Sequence, residues 1–295
     1  EFRAAADTAV TLGYLGVRGL RLPRSRDINV APAQLLTGTA VGLDGRPAPI
    51  AFYRRTAPRP NPAFGRITIA ESAADSIYHG GFVQVQKRYA RNFQLLASYT
   101  WSRVIDTSPS PVAVVPDTGD DAAIVQDTLN ARLDRAVGDA NIPHRFVGSV
   151  VWDISYANRL QPLVRAVLGD WQLSLINEVR SGYPYTLRVG QDVMNDGNPR
   201  NDRPPFVGRN TERLPNYATL DTRVSKYIPL GTERLRLQLI GEAFNLMNRT
   251  NIAGVQTGLY NFNAATNTFT RALNFRYASS SYDPRTVQLA AKLTW

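Results

Sequence analysis

The chain has 295 residues, 34 Lys plus Arg against 24 Asp plus Glu, a net charge of +10 and 43% hydrophobic content, enough for one or two domains and unlike a disordered tail. It contains no Cys and only two His, His79 and His144, which excludes disulfides, thiolate zinc sites, iron–sulfur clusters, a Cys nucleophile and a multi-histidine metal centre. The basic excess does not point to nucleic acid, because the Arg residues are scattered, only Lys87, Lys226 and Lys292 are lysines, and no reading motif is present.

The chain opens Glu1, Phe2, Arg3 without Met, a basic n-region or an apolar h-region, so the N-terminal part of a longer protein is expected to be missing. No run of about 18 apolar residues exists, and no transmembrane helix is predicted. Strands of a membrane barrel carry a weaker signal, segments of about ten residues with alternating polarity.

That alternation recurs along the chain. It predicts strands over Thr8–Val17, Ile77–Tyr89, Asn92–Ser102, His144–Ser155, Asp170 to about Val189, Tyr217–Tyr227, Leu235–Ala243 and Val287–Trp295. In the last of these Val287, Leu289, Ala291, Leu293 and Trp295 share one face, and Gln288, Ala290, Lys292 and Thr294 the other. The connections alternate strictly between long and short: about 60 residues, a tight turn at Ala90 and Arg91, then about 40, 14, 27, six and 40. This parity requires Asp170 to Val189 to be one bent strand, with Gly182 and Pro184 at a bend or bulge. An antiparallel meander with short turns at one end and long loops at the other is the pattern of a transmembrane barrel.

Aromatic residues gather at the predicted strand ends. Trp101 lies near a long-loop end, whereas Trp152, Trp171 and Trp295 lie toward short-turn ends, as do Tyr89 and Tyr227, the distribution of an interfacial aromatic girdle. The opposite face carries Gln84, Gln86, Arg88, Arg145, Asp153, Glu178, Arg180, Asp221, Arg223, Arg236, Gln238, Glu242 and Lys292, charges that a lumen wall tolerates and lipid does not. A soluble sheet with one solvated face produces the same alternation, and a soluble carbohydrate-binding module stays open as an alternative; it needs its aromatics on one binding face instead of at strand ends.

Two loops carry candidate ligand chemistry. Asp117, Asp120, Asp121, Asp127, Asp134 and Asp139, with Arg132 and Arg135, cluster before His144 and read as an acidic, solvated loop. Within it Ile124, Val125, Leu129, Leu133 and Val137 approach helical spacing after Asp120 or Asp121 as N-cap, predicting a short helix over the barrel mouth. The segment from Asp192 through Asn195, Asp196, Gly197, Asn198 and Asn201 to Asp202 is rich in oxygen ligands suited to calcium, yet it misses the EF-hand spacing and reads as a polar turn. No G-x-S-x-G elbow, P-loop or H-E-x-x-H is present, so no enzyme is expected.

Several motifs in order resemble one family. Ser98–Arg103 with Ile105 and Asp106, then His144, Arg145 and Phe146, Gly169–Ser174, Ser181–Thr186, Asp202, Arg203 and Pro204, Leu220–Lys226, and Glu242–Asn248 resemble the C-terminal half of TonB-dependent outer-membrane receptors. They are most similar to the Oar-like group, which carries a carboxypeptidase-regulatory-like N-terminal domain. The resemblance covers nearly the whole chain, most strongly from about Gly80 onward.

It implies an all-β, antiparallel transmembrane β-barrel, of which this chain supplies the C-terminal eight or so strands of a 22-stranded barrel with long extracellular loops. It also implies a plug domain filling the lumen, energy delivered by the periplasmic partner TonB through the missing N-terminal region, insertion by the barrel assembly machinery into outer-membrane lipid, and uptake of a scarce ligand. Arg145, Asp153, Glu178, Arg180, Asp221, Arg223, Arg236 and Glu242 then face the lumen and plug. Leu289, Ala291, Leu293 and Trp295 form the C-terminal assembly signal. No cofactor, catalytic residue, metal or nucleic-acid partner is expected, and a self-contained eight-stranded barrel acting as porin, adhesin or structural protein stays open as an alternative.

Overall fold

The computed structural model describes residues 2–108, 124–154, 161–230 and 235–295. Eight long strands run β1 Thr8–Asp27, β2 Thr68–Ala90, β3 Phe93–Asp106, β4 His144–Ile154, β5 Trp171–Arg180, β6 Tyr217–Pro229, β7 Arg236–Phe244 and β8 Thr286–Thr294. Each pairs antiparallel with its neighbour in chain order, and a short strand, Phe2–Ala5, lies on the outer edge of β1. Each of the eight predicted segments therefore contributes a strand to one sheet, Ser155 at the end of the fourth lying outside the described residues.

The ladder is open, with Phe2–Ala5 at one edge and β8 at the other. This is a half-barrel, and it does not close as an eight-stranded barrel would. Among the described residues the outer backbone of both edges has no sheet partner, which is costly wherever water is excluded.

Short connections all lie at one end. Between β2 and β3 the turn residues Arg91 and Asn92 both adopt positive φ, 53° and 65°, the pair of left-handed residues that a two-residue type I′ hairpin needs to match strand twist. Between β6 and β7 the Leu230 N–H donates to the Leu235 carbonyl at 2.9 Å. The β4–β5 connection carries one short helix, α1 Pro162–Leu168, with Pro at its first helical position.

The long connections at the other end depart from the prediction. β1 and β2 extend ten or so residues past the membrane-length pattern, paired as far as Asp27 with Thr68. The bent strand predicted from Asp170 to Val189 is instead β5, ending at Arg180, followed by two isolated pairs. Pro184–Tyr185 pairs with Glu212–Arg213, and Arg188–Val189 pairs in parallel with the fourth loop at Gly258 and Tyr260. Gly182 marks the break: a Cβ built there would lie 1.9 Å from the Leu214 carbonyl oxygen, so only glycine lets the two segments of this loop approach so closely. The chain still does not recross the sheet here, which preserves the parity of short and long connections.

Three long loops join into a second sheet of five strands. Its order is Arg188–Val189, Gly258–Asn263, Thr268–Arg271, Gln34–Val41, Pro47–Arg54, drawn from the third, fourth and first loops. The buried apolar core sits in this layer and not in the main sheet. Phe52, Phe262 and Phe269 meet at centroid separations of 4.7 to 5.5 Å, with Val189 and Val193 beside them. Each aromatic pair adds about 0.5–1.5 kcal/mol beyond the area it buries.

The helix predicted over Asp121 to Val137 is not seen among the described residues, where only a 3-10 turn, Ala131–Asp134, forms. Its proposed caps Asp120 and Asp121, and Asp117, lie outside the described residues. The reason is tertiary: Ile124 and Val125 are buried, Ile124 bridges to Ser25, and Thr128 Oγ1 donates to the Asp27 carbonyl at 2.6 Å, so the segment is anchored to the end of β1 as a series of bends and turns.

Replacing Gly182 by Ala should force Leu214 away and destabilise the loop layer by about 1–3 kcal/mol, the usual range for overpacking. Thermal unfolding and protease sensitivity at residues 181–216 would show it, and an unchanged profile would mean that this close approach does not exist in solution.

Candidate functional site: a cleft in the long-loop layer

Cross-strand register sorts side chains onto two faces, because directly paired residues point the same way. One face is apolar in successive rows: Val83, Tyr99, Phe146, Val179 and Ala218 form one, and Phe93, Trp152, Leu173, Val224, Gly241 and Leu289 another. These residues stay accessible, with Trp101 62% and Leu289 86% exposed, so the face is an apolar surface of a size that isolated soluble proteins do not leave bare.

Arg145, Asp153, Glu178, Arg180, Asp221, Arg223, Arg236 and Glu242 all fall on the other face, by the same register. Arg145 pairs with Glu178 at 2.9 Å, Arg180 with Glu178 at 3.7 Å and Arg223 with Glu242 at 3.6 Å. Asp153 accepts from Gln172 Nε2 at 2.8 Å, and Asp221 Oδ1 accepts the Asn245 N–H at 2.8 Å. Arg236 lies opposite Thr294 at the short-turn end.

The aromatic residues divide. Trp101, Trp152 and Trp171 stand on the apolar face, Trp101 at the long-loop end and the other two at the short-turn end. Tyr89 and Tyr227 stand on the polar face instead. The register slips between Lys87 and Ala90, and the Tyr89 hydroxyl donates to Asp153; Tyr227 faces Gln238, whose Nε2 donates to its hydroxyl at 3.0 Å. Lys226 takes an apolar-face position near the short-turn end, where its ammonium snorkels to the Gly169 carbonyl and lies 5.5 Å from the Trp171 ring centre. In β8, Leu289, Ala291 and Leu293 share the apolar face, and Trp295 follows the strand with 87% exposure.

Arg180 ties the sheet to the loops above it. Its guanidinium lies 4.4 Å from the Tyr217 ring centre, 4.6 Å from Tyr183 and 5.6 Å from Tyr282, and it donates to the Tyr282 hydroxyl at 3.0 Å. Cation–π contacts to three rings fix the bases of the third and fourth loops on β5 and β6.

Above this end the first three long loops enclose a cleft of about 580 Å³, within the usual size of a small-molecule site. Its walls are Phe52 and Tyr53 from the first loop, Leu129 and Leu133 from the second, and Val193, Met194 and the stretch from Pro204 to Val207 from the third. Phe206 is 72% exposed with φ of 60° and packs edge-on to Tyr53 at 6.0 Å. Polar groups enter at a few points only, from Gln126, Asp127, Asn130 and Arg203. Such a surface suits a ligand with an apolar or aromatic body and a few hydrogen-bonding groups.

Buried ion pairs hold these walls. Asp134, fully buried, pairs with Arg203; Asp127 accepts from Arg55 at 3.0 Å; Arg209 bridges Asp106 and Asp139, the latter at 3.0 Å; and Arg59 reaches Asp27 at 2.8 Å. The acidic cluster before His144 is thus not a solvated loop. Its described members Asp127, Asp134 and Asp139 are partners of arginines more than 60 residues away in the chain. Composition gave no hint of the pairing, although Arg203 within the Asp202, Arg203, Pro204 motif was visible. In the third loop burial pushes Asp202 up to about 8 and Asp196 up to about 6, with the neighbouring carboxylates as the next cause.

The family model for the outer membrane beta barrel domain matches residues 1–208 and 205–288. The chain belongs to this family. Its place is accordingly the outer membrane, and the apolar face is the one that meets lipid. Comparison with curated proteins finds no match. Among solved structures, the outer membrane transporter YddB from Escherichia coli aligns with 99% of this chain and 31% of its own, at 9% identity and a TM-score of 0.48. The chain thus spans less than a third of that transporter's length.

Two outcomes follow for the outer membrane beta barrel domain. Asp134→Ala strands Arg203 in a buried site and should cost about 3–5 kcal/mol in the loop layer, read as faster hydrogen exchange at residues 124–137 and 193–208. Leu175→Lys, on the lipid face midway along β5, should lower barrel stability in bilayers by about 2–4 kcal/mol, while Ser98→Lys on the polar face changes it little. Equal effects of the two lysines in urea unfolding from vesicles would overturn the assignment of faces, and a larger effect of Ser98→Lys would reverse it.

Proposed function

We propose that this domain forms part of the wall and the extracellular mouth of a TonB-dependent receptor of the Oar-like group, which takes up a scarce ligand across the outer membrane. The observation that supports it is the cleft: three long loops, tied together by buried ion pairs, build a ligand-sized cavity at one end of an open sheet with a charged inner face. In outer-membrane barrels the long loops face outward, which sets the cleft where a ligand arrives.

In this reading the eight strands are the C-terminal part of a 22-stranded barrel, and further strands complete the two open edges. A plug domain meets the polar face, where Arg145, Glu178, Arg180, Arg223 and Glu242 already form a ladder of charges able to exchange partners. TonB engages the N-terminal region and loosens the plug. The barrel assembly machinery reads β8 with Leu289, Ala291, Leu293 and Trp295. The role needs no catalytic residue, cofactor or nucleic acid.

The full-length receptor in its own cells provides the test. Its ligand, found as the solute depleted from the medium only when the gene is present, should stop entering when TonB is deleted or the proton-motive force is collapsed. Replacing Phe206 and Leu133 together by Ala should raise the half-saturating ligand concentration by roughly tenfold or more, since each loses about 1 kcal/mol or more of apolar contact. Uptake that persists without TonB would sink the energised reading and leave a passive barrel.

A further inference from the structure

The lipid face bears cations at both of its ends, and the ends differ in what meets them. At the short-turn end Lys87 pairs with Asp7, and Lys226 donates to the Gly169 carbonyl. At the long-loop end Arg18 and Arg103 stand exposed on the same face by register, and among the described residues no hydrogen bond or ion pair takes up either guanidinium. Asp75, the acid on this stretch of the face, accepts the Thr107 hydroxyl at 2.9 Å instead.

Both histidines of the chain join the two arginines there. His79 is the direct cross-strand neighbour of Arg103, and His144 pairs with Trp101 one row closer to the middle of the sheet. Each histidine is held by a tyrosine. The Tyr14 hydroxyl donates to His79 Nδ1 at 2.5 Å with ring centres 6.1 Å apart, and the Tyr99 hydroxyl donates to His144 Nδ1 at 2.7 Å with centres 6.2 Å apart. An imidazole that accepts on Nδ1 carries its proton on Nε2, on the other side of the ring. The tyrosines therefore fix both rings as donors. With the Arg103 guanidinium and the exposed indole N–H of Trp101 they make a band of donors for which the described residues supply no acceptor.

Two glycines shape the surface beneath. A Cβ at Gly16 would lie 3.1 Å from the Tyr14 hydroxyl oxygen, so its absence lets the Tyr14 side chain lean toward His79. At Gly81, between Tyr14 and Trp101 in one row, a Cβ would find no atom nearer than the Gly13 carbonyl oxygen at 3.9 Å, which leaves a shallow notch between the two rings. Along β2, His79 stands eight residues from Lys87. At about 3.3 Å per residue and a tilt of about 40° this separation is roughly 20 Å, close to the height of a barrel's apolar band. The donors thus lie where the headgroups of the outer leaflet begin, above the apolar Leu12, Val83, Tyr99 and Phe146.

We propose that Arg18, His79, Arg103 and His144, around Trp101 and the notch at Gly81, bind the phosphorylated sugar headgroup of an outer-leaflet glycolipid, whose acyl chains lie along the apolar rows below. Phosphate brings the acceptors and the negative charge that the protein does not provide at this end, and guanidinium and imidazole N–H groups are donors suited to it. The four side chains come from β1 to β4, a width of about 14 Å at about 4.8 Å per strand, broader than one phosphate and matched to a headgroup that carries more than one. The site needs only the outer-membrane placement and the outward direction of the long loops, and it does not depend on the TonB reading.

The test uses the full-length protein, delipidated in detergent and titrated with diphosphoryl lipid A, with bound lipid counted by native mass spectrometry. Arg103→Gln combined with His79→Gln should lower the affinity of the tightest-bound lipid A by roughly tenfold or more, the loss expected for two phosphate-directed donors. Lys226→Gln, on the same face at the opposite end, should leave it unchanged. Lipid A stripped of both phosphates should bind the wild type as weakly as the double variant binds the intact lipid, and should no longer distinguish the two proteins. Heat-modifiable migration on electrophoresis shows that each variant is folded, and a benzophenone crosslinker in place of Trp101 should capture the lipid. Equal binding of the dephosphorylated lipid, an unchanged affinity in the folded double variant, an equal loss in Lys226→Gln, phosphatidylglycerol bound as tightly as lipid A, or displacement by millimolar inorganic phosphate would each overturn the proposal.

Discussion

Everything in this chain depends on one rule of the bilayer: a backbone amide inside it finds no water, so each must be bonded within the protein. The seven consecutive antiparallel pairings from β1 to β8 answer that rule for every strand inside the sheet and leave only its two edges open. Once the ladder is in place, the pleat forces alternate side chains to opposite faces, and lipid on one side then dictates which face is apolar. The rows Val83 to Ala218 and Phe93 to Leu289 are the consequence, as is the gathering of Arg145, Glu178, Arg180, Arg223 and Glu242 on the far side. Lys226 shows how firm the rule is, since it occupies a lipid-facing position only by bending its ammonium to the Gly169 carbonyl.

A sheet of this kind has no hydrophobic core of its own, because its apolar side is turned outward. The apolar core appears in the loop layer, around Phe52, Phe262 and Phe269. The extracellular segments therefore behave as a packed domain standing on the strands, made from pieces of three loops that are far apart in sequence. Its second fastening is electrostatic, with Asp134 and Arg203, Asp127 and Arg55, and Arg209 between Asp106 and Asp139. Buried pairs contribute little net stability against apolar replacements but exact a large penalty when one partner goes, so they act chiefly to fix one arrangement of the cleft walls.

Between the two layers the strands β1 and β2 and the residue Arg180 act as connectors. The paired extension of β1 and β2 to Asp27 and Thr68 carries the first loop upward, and Asp27 then meets Arg59 while its carbonyl meets Thr128. Arg180, at the end of β5, holds tyrosines from the third loop, β6 and the fourth loop. A rigid wall and a rigid cap joined through a few residues give a mouth whose shape is set by the cap, and the carboxylates of the third loop lie in that cap beside the cleft.

Eight strands, their order, the alternation of short and long connections and the faces of Arg145, Glu178, Leu289 and Leu293 are legible in the spacing of residues alone. These are local properties: a period of two and a tight turn are written within ten residues, and the turn read at Ala90 and Arg91 falls one residue later, at Arg91 and Asn92. The same spacing could not place Tyr89 and Tyr227, because a slip in register beside Ala90 and the sharing of Gln238 are matters of the neighbouring strand. Folding is what takes the stretch after Arg180 out of the sheet, keeps the segment around Leu129 from forming a helix, ion-pairs the acidic loop and opens a cleft between Tyr53, Leu133 and Phe206. Those features join residues tens to hundreds of positions apart, through pairings whose energy depends on burial and partner, and neither quantity is encoded in the spacing of residues along the chain.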